Sequence, residues 1–508
     1  MTSEPEGDEL FRIRAAARDP LLLAAIALGG FVRVLPVVTT DFPIGDGGLI
    51  AAMIDQVVAN GLAPPVTLDY NGASIPFAYP PGGIYLAAPL AALGVPTVDL
   101  LRILPVALAI LVIPAWYLLA GELFGRRLAG VATLLYALTP KSYEWLIAGG
   151  GLTRGLGLLL VLLGLTAALA YFRRPTTGRV AVAGILLGLG ALSHPEAGAF
   201  GLATMVLFGW LRRSGWRSVV AIAAVALAVT APWLIRILAL LGTAPFTSAG
   251  GSRLESYAPA ILELASLRFT HEPIVGVVAV LGAMGAVVAL TSGRAWILGW
   301  ILMIIALVPA AALTLIMLPW SALAGLALNE FVSPRVSSRT RRLAAPVGAA
   351  MLVLGCAWSP LLPASPIWSV PSGTREAAIR LSSSLPPGTR VAVVTGSYWP
   401  VDAVAEWFPY LTGLQNVSTV QGLEFTGRWS EGLATQRAIA ECAEETASCL
   451  AIALDEHAPS VEVVFLPEGR LPGHANDDCC AALRESLRAS STVLFSAPGA
   501  TAYRLEGS

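Results

Sequence analysis

The sequence predicts a polytopic α-helical membrane protein of about eleven spans, followed by a C-terminal extracytoplasmic α/β domain. Three observations predict it. Only 13% of the 508 residues are charged and 56% are hydrophobic, with a mean hydropathy of +0.72, whereas a soluble globular domain carries about 25% charged residues. The apolar character divides the chain: 1–362 is almost continuously apolar, and 363–508 reads as ordinary soluble sequence. The arginines recur in alternate loops. A net charge of −1 excludes nucleic acid as an expected partner.

A helix needs about 20 apolar residues to cross ~30 Å of hydrocarbon. The qualifying or nearly qualifying stretches are 20–38, 100–122, 128–142, 153–172, 179–194, 196–211, 217–240, 273–291, 295–309, 310–328 and 343–361. The break between 295–309 and 310–328 rests on Pro309. Basic residues cluster before the first span (Arg12, Arg14, Arg18) and at Arg126-Arg127, Arg173-Arg174, Arg212-Arg213, Arg294 and Arg335–Arg342. Positive loops stay cytoplasmic. The N-terminus is therefore expected inside, and an odd number of spans puts 363–508 outside an inner (plasma) membrane. The first span reads as an uncleaved anchor, since no small-residue cleavage site follows it.

The first outside loop, 39–99, is longer than a connector needs. It opens with Asp41-Phe42-Pro43-Ile44-Gly45-Asp46-Gly47-Gly48. An apolar-rich helix, Leu49 to Asn60, follows, and one face of it suits the membrane interface. A second short apolar helix follows Tyr79-Pro80-Pro81-Gly82-Gly83, with Pro where a missing N–H costs nothing. Taken singly, Asp46 also reads as a helix cap and Asp41 as a turn residue.

In the order of its features the chain resembles the GT-C superfamily of membrane glycosyltransferases. That group includes protein O-mannosyltransferases, the aminoarabinose transferase acting on lipid A, and the catalytic subunit of oligosaccharyltransferase. The resemblance runs over about 1–240. It rests on Arg33-Val34-Leu35-Pro36 ending the first span, Asp41 and Asp46 opening the first loop, and the Tyr79-Pro80-Pro81-Gly82 element. Arg102-Ile103-Leu104-Pro105, Phe124-Gly125-Arg126-Arg127 and the short second outside loop, Tyr143 to Arg154, complete it. The resemblance implies sugar transfer, with inversion, from a polyprenyl-phosphate-linked donor to an extracytoplasmic glycan, lipid or protein acceptor. It implies that a first-loop carboxylate is the base: Asp46, or Asp41 as the alternative. The second acid that the family usually places beside the first is absent, since Gly47 follows Asp46. No cofactor is expected; a divalent metal is not indicated, because Glu144 is the only acid near Gly151-Leu152-Thr153-Arg154. Asparagine-linked glycosylation is disfavoured, because Glu406-Trp407-Phe408-Pro409 is not the Trp-Trp-Asp motif of those enzymes.

Two tasks need groups: a carboxylate to take the acceptor's proton, and a cation to stabilise the departing phosphate. For the phosphate the candidates are Arg154, at the mouth of a span, then Arg236 and Arg253. Arg33 and Arg236 also read as side chains snorkelling to the interface. Tyr79, Glu144, His194 and Glu196 complete the candidate substrate-binding set, although His194-Pro195-Glu196 equally reads as a turn. In the C-terminal part, strands are expected at 390–395 and 461–465, helices at 401–411 and 478–489, and a hairpin from 492–496 and 501–505. Cys442 and Cys449 bracket a short polar loop and are expected to be bridged. Adjacent Cys479 and Cys480 are not expected to bond to each other; one of them paired with Cys442 or Cys449 is the alternative. A lipid-linked glycan transporter or flippase would show internal repeats and polar mid-span residues, which the sequence lacks. A non-catalytic envelope scaffold is the third reading.

Overall fold

Helices begin at ten of the eleven expected spans in this computed structural model. It describes residues 18–251, 257–272, 276–335, 367–469 and 478–505, with Leu471 and five isolated positions between 336 and 366. The expected span 343–361 lies outside the described residues. In chain order the helices are α1 (Pro20–Val38), α2 (Gly48–Ala59), α3 (Gly82–Ala92), α4 (Thr97–Phe124), α5 (Arg126–Leu138), the short α6 (Glu144–Ile147), α7 (Gly151–Arg173), α8 (Thr177–Ser193), α9 (Pro195–Leu211), α10 (Trp216–Leu241), α11 (Ala244–Gly251), α12 (Tyr257–Ala265), α13 (Val277–Thr291), α14 (Trp296–Leu307) and α15 (Ala312–Leu326). Among the described residues only α1, α4, α7, α10 and α15 with its extension to Arg335 are long and apolar enough to cross a bilayer unaided. The others stop early for local reasons. Pro140 and Pro195 disfavour helical backbone in the residue before them, which ends α5 and α8. The helix expected over 295–309 stops at Leu307, just before Pro309.

α15 is apolar on every side, and each of its residues is buried, so it forms the axis of the bundle. α10 sits at the opposite extreme. Few of its residues are buried, and Leu227 and Ile235 stand exposed, as a lipid-facing helix requires.

The first outside loop carries a hairpin of β1 (Thr67–Tyr70) and β2 (Ala73–Pro76) between its two helices. The C-terminal unit contributes α16 (Ser372–Ser384), β3 (Arg390–Val393), α17 (Ala403–Thr412), β4 (Gln415–Asn416), α18 (Trp429–Glu441), α19 (Ala447–His457), β5 (Val463–Pro467), α20 (Ala481–Ser490), β6 (Thr492–Ala497) and β7 (Ala500–Arg504). Its five strands run in the order β4-β3-β5-β7-β6. β4, β3 and β5 are parallel, and β7 pairs antiparallel with β5 and β6.

One expectation fails here. The apolar face of α2 does not lie on lipid: Leu49, Ile50, Met53, Ile54 and Val57 are buried in a cluster with Trp407, Phe408 and the sheet residues Val391 and Phe465. The C-terminal unit supplies a large aromatic surface that removes this face from solvent at about 25 cal/mol per Å². First loop and C-terminal unit thus share one core.

A second difference concerns cysteine. Cys442 and Cys449 are bridged as expected, but Cys479 and Cys480 are bonded to each other. Cys480 adopts left-handed backbone (φ 66°) at the start of α20, which turns its side chain to the same side as that of Cys479. Both are buried, with the Cys479 sulfur 3.2 Å from the Thr395 carbonyl.

Candidate active site

The segment leading into α2 is pinned on both sides. Gly149 N–H donates to the Ile44 carbonyl at 2.8 Å, Gly150 N–H to the Asp46 carbonyl at 2.9 Å, and Gly45 N–H to the Trp368 carbonyl at 2.8 Å. The first and second outside loops are therefore laced together by backbone. Gly149 and Gly150 permit it: a Cβ on Gly149 would lie 2.4 Å from the Asp46 carbonyl, and one on Gly150 would lie 2.7 Å from Asp46 Oδ2. Only glycine tolerates such an approach.

At this junction Arg154, in the first turn of α7, meets Asp46. Its Nη2 donates to Oδ1 at 2.8 Å and to Oδ2 at 3.1 Å. Its Nε donates to the Trp145 carbonyl at 3.1 Å, and the guanidinium lies 4.9 Å from the centre of the Trp145 ring. The pair is partly accessible, with about a fifth of each side chain exposed. A cation and a carboxylate are thus held together at the end of a span, with Asp46 on a cleft also lined by Glu144, Trp145 and Pro400.

The remaining candidates fall into two groups. Tyr79 shares a hydrogen bond with Thr153 Oγ1 at 2.9 Å, and its ring meets those of His194 and Phe425 edge-on, both at 6.3 Å. Burial pushes the Tyr79 phenol up to about 12, against the opposing pull of Thr153 and Arg154. Glu196 is buried in the first turn of α9, within electrostatic reach of Arg154. Asp46, Arg154, Glu144, Tyr79, His194 and Glu196 therefore converge. Asp41 does not join them: it is largely exposed and pairs with Arg375 of the C-terminal unit. Arg236 donates to the carbonyls of Pro64 and Pro65 at 2.8 and 3.2 Å, which anchors the first loop to α10. Arg253 lies outside the described residues.

Glu144 is buried, and its Oε2 meets His271 Nδ1 at 2.7 Å. His271 Nε2 meets Glu263 Oε1 at 2.8 Å, and Lys141 Nζ donates to the same oxygen at 3.1 Å. Burial lowers the His271 pKa, but the Glu144 charge and the hydrogen bonds to Glu144 and Glu263 prevail and raise it to about 9. Glu144 Oε1 is buried with no hydrogen-bond partner among the described residues. Arg33 does not snorkel. It is fully buried and donates to the carbonyls of Gly29 and Ala137 and to Ser142 Oγ, with its guanidinium 4.5 Å from the centre of the Tyr143 ring. It braces the turn that presents Glu144.

The sequence reading missed His271, Glu263 and two carboxylates of the C-terminal unit, Glu406 and Glu424. Glu406 is buried and accepts the first backbone N–H groups of α2, so Asp46 is not that helix's cap. Burial pushes the Glu424 carboxyl up to about 7, against the Gly422 N–H that favours its charge. The one available signal was the acid-aromatic run Glu406-Trp407-Phe408, whose partners lie more than 350 residues earlier in the chain.

Fold and site together define a helical membrane protein in which a laced pair of loops carries a carboxylate-arginine pair. The comparisons agree. Residues 78–235 match the family model described as dolichyl-phosphate-mannose-protein mannosyltransferase; the match contains Tyr79, Glu144, Arg154, His194 and Glu196, and begins after Asp46. The oligosaccharyltransferase of Archaeoglobus fulgidus in its apo form superposes with a TM-score of 0.55 at 14% identity, over 88% of this chain and 69% of that one. The same enzyme, AglB, in complex with an inhibitory peptide and a dolichol-phosphate gives 0.51 at 13% identity, over 88% and 69%. ArnT from Cupriavidus metallidurans in the apo state gives 0.48 at 16% identity, over 93% and 96%. The search of curated proteins finds no match. The chain is thus similar in fold to the archaeal oligosaccharyltransferase along most of its length, and to the mannosyltransferase family model over 78–235.

A further structure of the archaeal enzyme is described as a complex with Zn and sulfate. Both Asp46 oxygens are taken by Arg154, and no three His, Cys, Asp or Glu side chains group suitably among the described residues.

Proposed function

We propose that the chain transfers a sugar, with inversion, from a polyprenyl-phosphate-linked donor to a hydroxyl acceptor on the extracytoplasmic side of the membrane. The observation that carries this reading is the Asp46–Arg154 pair. It sits at the end of a membrane span, where a lipid phosphate and a water-borne acceptor can meet, and it lies in a GT-C fold. Arg154 binds the donor phosphate and stabilises the charge that develops as the bond from the anomeric carbon to the phosphate oxygen breaks. When phosphate draws the guanidinium over, the two Asp46 oxygens that Nη2 holds are released. Asp46 then takes the acceptor's proton as the new glycosidic bond forms on the opposite face of the sugar. Tyr79, His194 and Glu196 line the approach and contact donor or sugar hydroxyls.

The test is mass spectrometry of envelope glycans from a strain lacking the protein, complemented with wild type or with Asp46→Asn. Asn keeps the size of Asp but accepts no proton at neutral pH. Product is expected to fall at least ~100-fold, within the range for removal of a general base, while the protein accumulates normally. Full activity of Asp46→Asn together with loss in Asp41→Asn would move the base to Asp41. Full activity of both would remove the enzymatic reading.

A further inference from the structure

Resting on the reading of Asp46 as base, we propose that Glu406 of the C-terminal unit is the positioning residue for Asp46, so that this unit is a working part of the transfer site. Its carboxylate accepts three consecutive backbone N–H groups just after Asp46: Gly47 and Gly48 on Oε2 at 2.9 and 2.8 Å, and Leu49 on Oε1 at 3.0 Å. These are the unsatisfied donors that every helix start leaves open, here filled from 357 to 359 residues away. The neighbouring Trp407 indole donates to the Gly45 carbonyl at 2.8 Å, and the Tyr70 hydroxyl donates to the Glu406 carbonyl at 2.5 Å. Asp46 is thus bracketed by clamped residues on both sides.

The same contact explains why glycine follows Asp46. A Cβ on Gly47 would lie 2.7 Å from the Trp407 ring, and one on Gly48 would lie 2.7 Å from the Glu406 carbonyl. No second acid fits beside Asp46 in sequence. The neighbouring carboxylate arrives instead in space, and its lone pairs are turned to the backbone rather than to the cleft.

A buried carboxylate is costly, and the groups around Glu406 show by how much the three N–H groups offset that cost. Burial, then the Asp46 charge, push its pKa up to about 7, although Gly48, Leu49 and Gly47 pull it down. The other titratable groups near it are the Tyr70 hydroxyl from β1, which feels both the Glu406 and the Glu424 charges, and Asp402 on its own helix, whose carboxylate caps α17 through Ala405 N–H. For an acid raised in this way, folding stability declines as pH rises from the ordinary carboxylate range to about 7 and is flat above it.

The experiment uses the full chain in two arms. In the first, the deletion strain is complemented with Glu406→Gln, Glu406→Asp and Asp46→Asn, and glycan product is measured per molecule of protein. Gln sets an N–H₂ donor against backbone donors; product is expected to fall on the order of 100-fold, the cost of misplacing a reacting group by about 1 Å. Asp is expected to restore part of it, and thermal stability of the Gln variant at pH 8 is expected not to fall. In the second arm, amide exchange of a peptide covering 45–52 is followed from pH 6 to pH 8, corrected for intrinsic rates. Wild type is expected to gain protection through pH 7, and Glu406→Gln to show no such step. Wild-type product from Glu406→Gln overturns the proposal while leaving the Asp46 reading intact if Asp46→Asn is inactive. Equal protection of 45–52 in wild type and Glu406→Gln across the whole range also overturns it, and is read without any activity assay. Wild-type product from Asp46→Asn overturns the Asp46 reading, and with it the need for a positioning residue.

Discussion

In the proposed reaction Arg154 faces two anions in turn, and its chemistry decides how well it serves both. A single nitrogen, Nη2, spans both Asp46 oxygens while Nε holds the Trp145 carbonyl, which leaves other guanidinium N–H groups to turn toward a phosphate. Lysine offers a point charge without that fork. Arg154→Lys is therefore expected to keep the pair with Asp46 yet lose transfer by about 10-fold or more, read as product per molecule in the complemented strain. His271 is the second residue with a defined electrostatic task. Its pKa is raised, to about 9, so its contribution to stability is complete below the ordinary histidine range, about 6.5, and is lost as pH rises through 9. Thermal unfolding of wild type is expected to weaken between pH 7 and 10, and His271→Gln to flatten that slope. An equal slope in both would show that the Glu144–His271–Glu263 contacts do not form.

At the scale of elements, local chemistry was legible and long-range pairing was not. The break at Pro309, the helix after Tyr79-Pro80-Pro81 and the hairpin over 492–505 follow from rules that act within a few residues. The face of α2 does not. An amphipathic helix looks the same whether its apolar side meets lipid or a protein core, and only the arrival of Trp407 and Phe408 decides it. Asp41 and Asp46 stand five positions apart in one loop, and nothing local tells which pairs with Arg375 and which with Arg154. The vicinal cysteines escaped for a similar reason, since their bond depends on left-handed backbone at Cys480. The Cys442–Cys449 bridge closes a loop with a sequence separation of 7, and loop-closure entropy gives it about 2 kcal/mol. Cys442→Ser with Cys449→Ser is expected to lower the thermal stability of the C-terminal unit accordingly. Peptide mapping without reductant checks both bridges, and four free thiols in protein from its native host would contradict them.

Across the whole molecule the arginine-rich span ends and the candidate site lie apart. Arg126, Arg173 and Arg212 belong to the ends of spans remote from the laced loops, and Arg173 and Arg212 both engage Glu122 there. The Asp46–Arg154 pair, the first-loop hairpin and the C-terminal sheet gather at the opposite end, continuous with Leu108 of α4 and Leu152 of α7 in one apolar cluster. Alkaline phosphatase fused after Gly373 is therefore expected to be active and fused after Arg213 inactive; the reverse would place Asp46 on the cytoplasmic side.

The shared core also sets a timetable for synthesis. Asp46 emerges from the ribosome within the first tenth of the chain, but the N–H groups beside it find their acceptor only when Glu406 has been translated and moved to the same side of the membrane. Pairings of such long sequence separation form late. Until then the apolar face of α2 lacks its cover and the N–H groups after Asp46 lack their acceptor, while the backbone lacing to Gly149 and Gly150 is already complete. On the proposed reading, a chain that stops before Glu406 is expected to hold Asp46 without its clamp and to transfer no sugar.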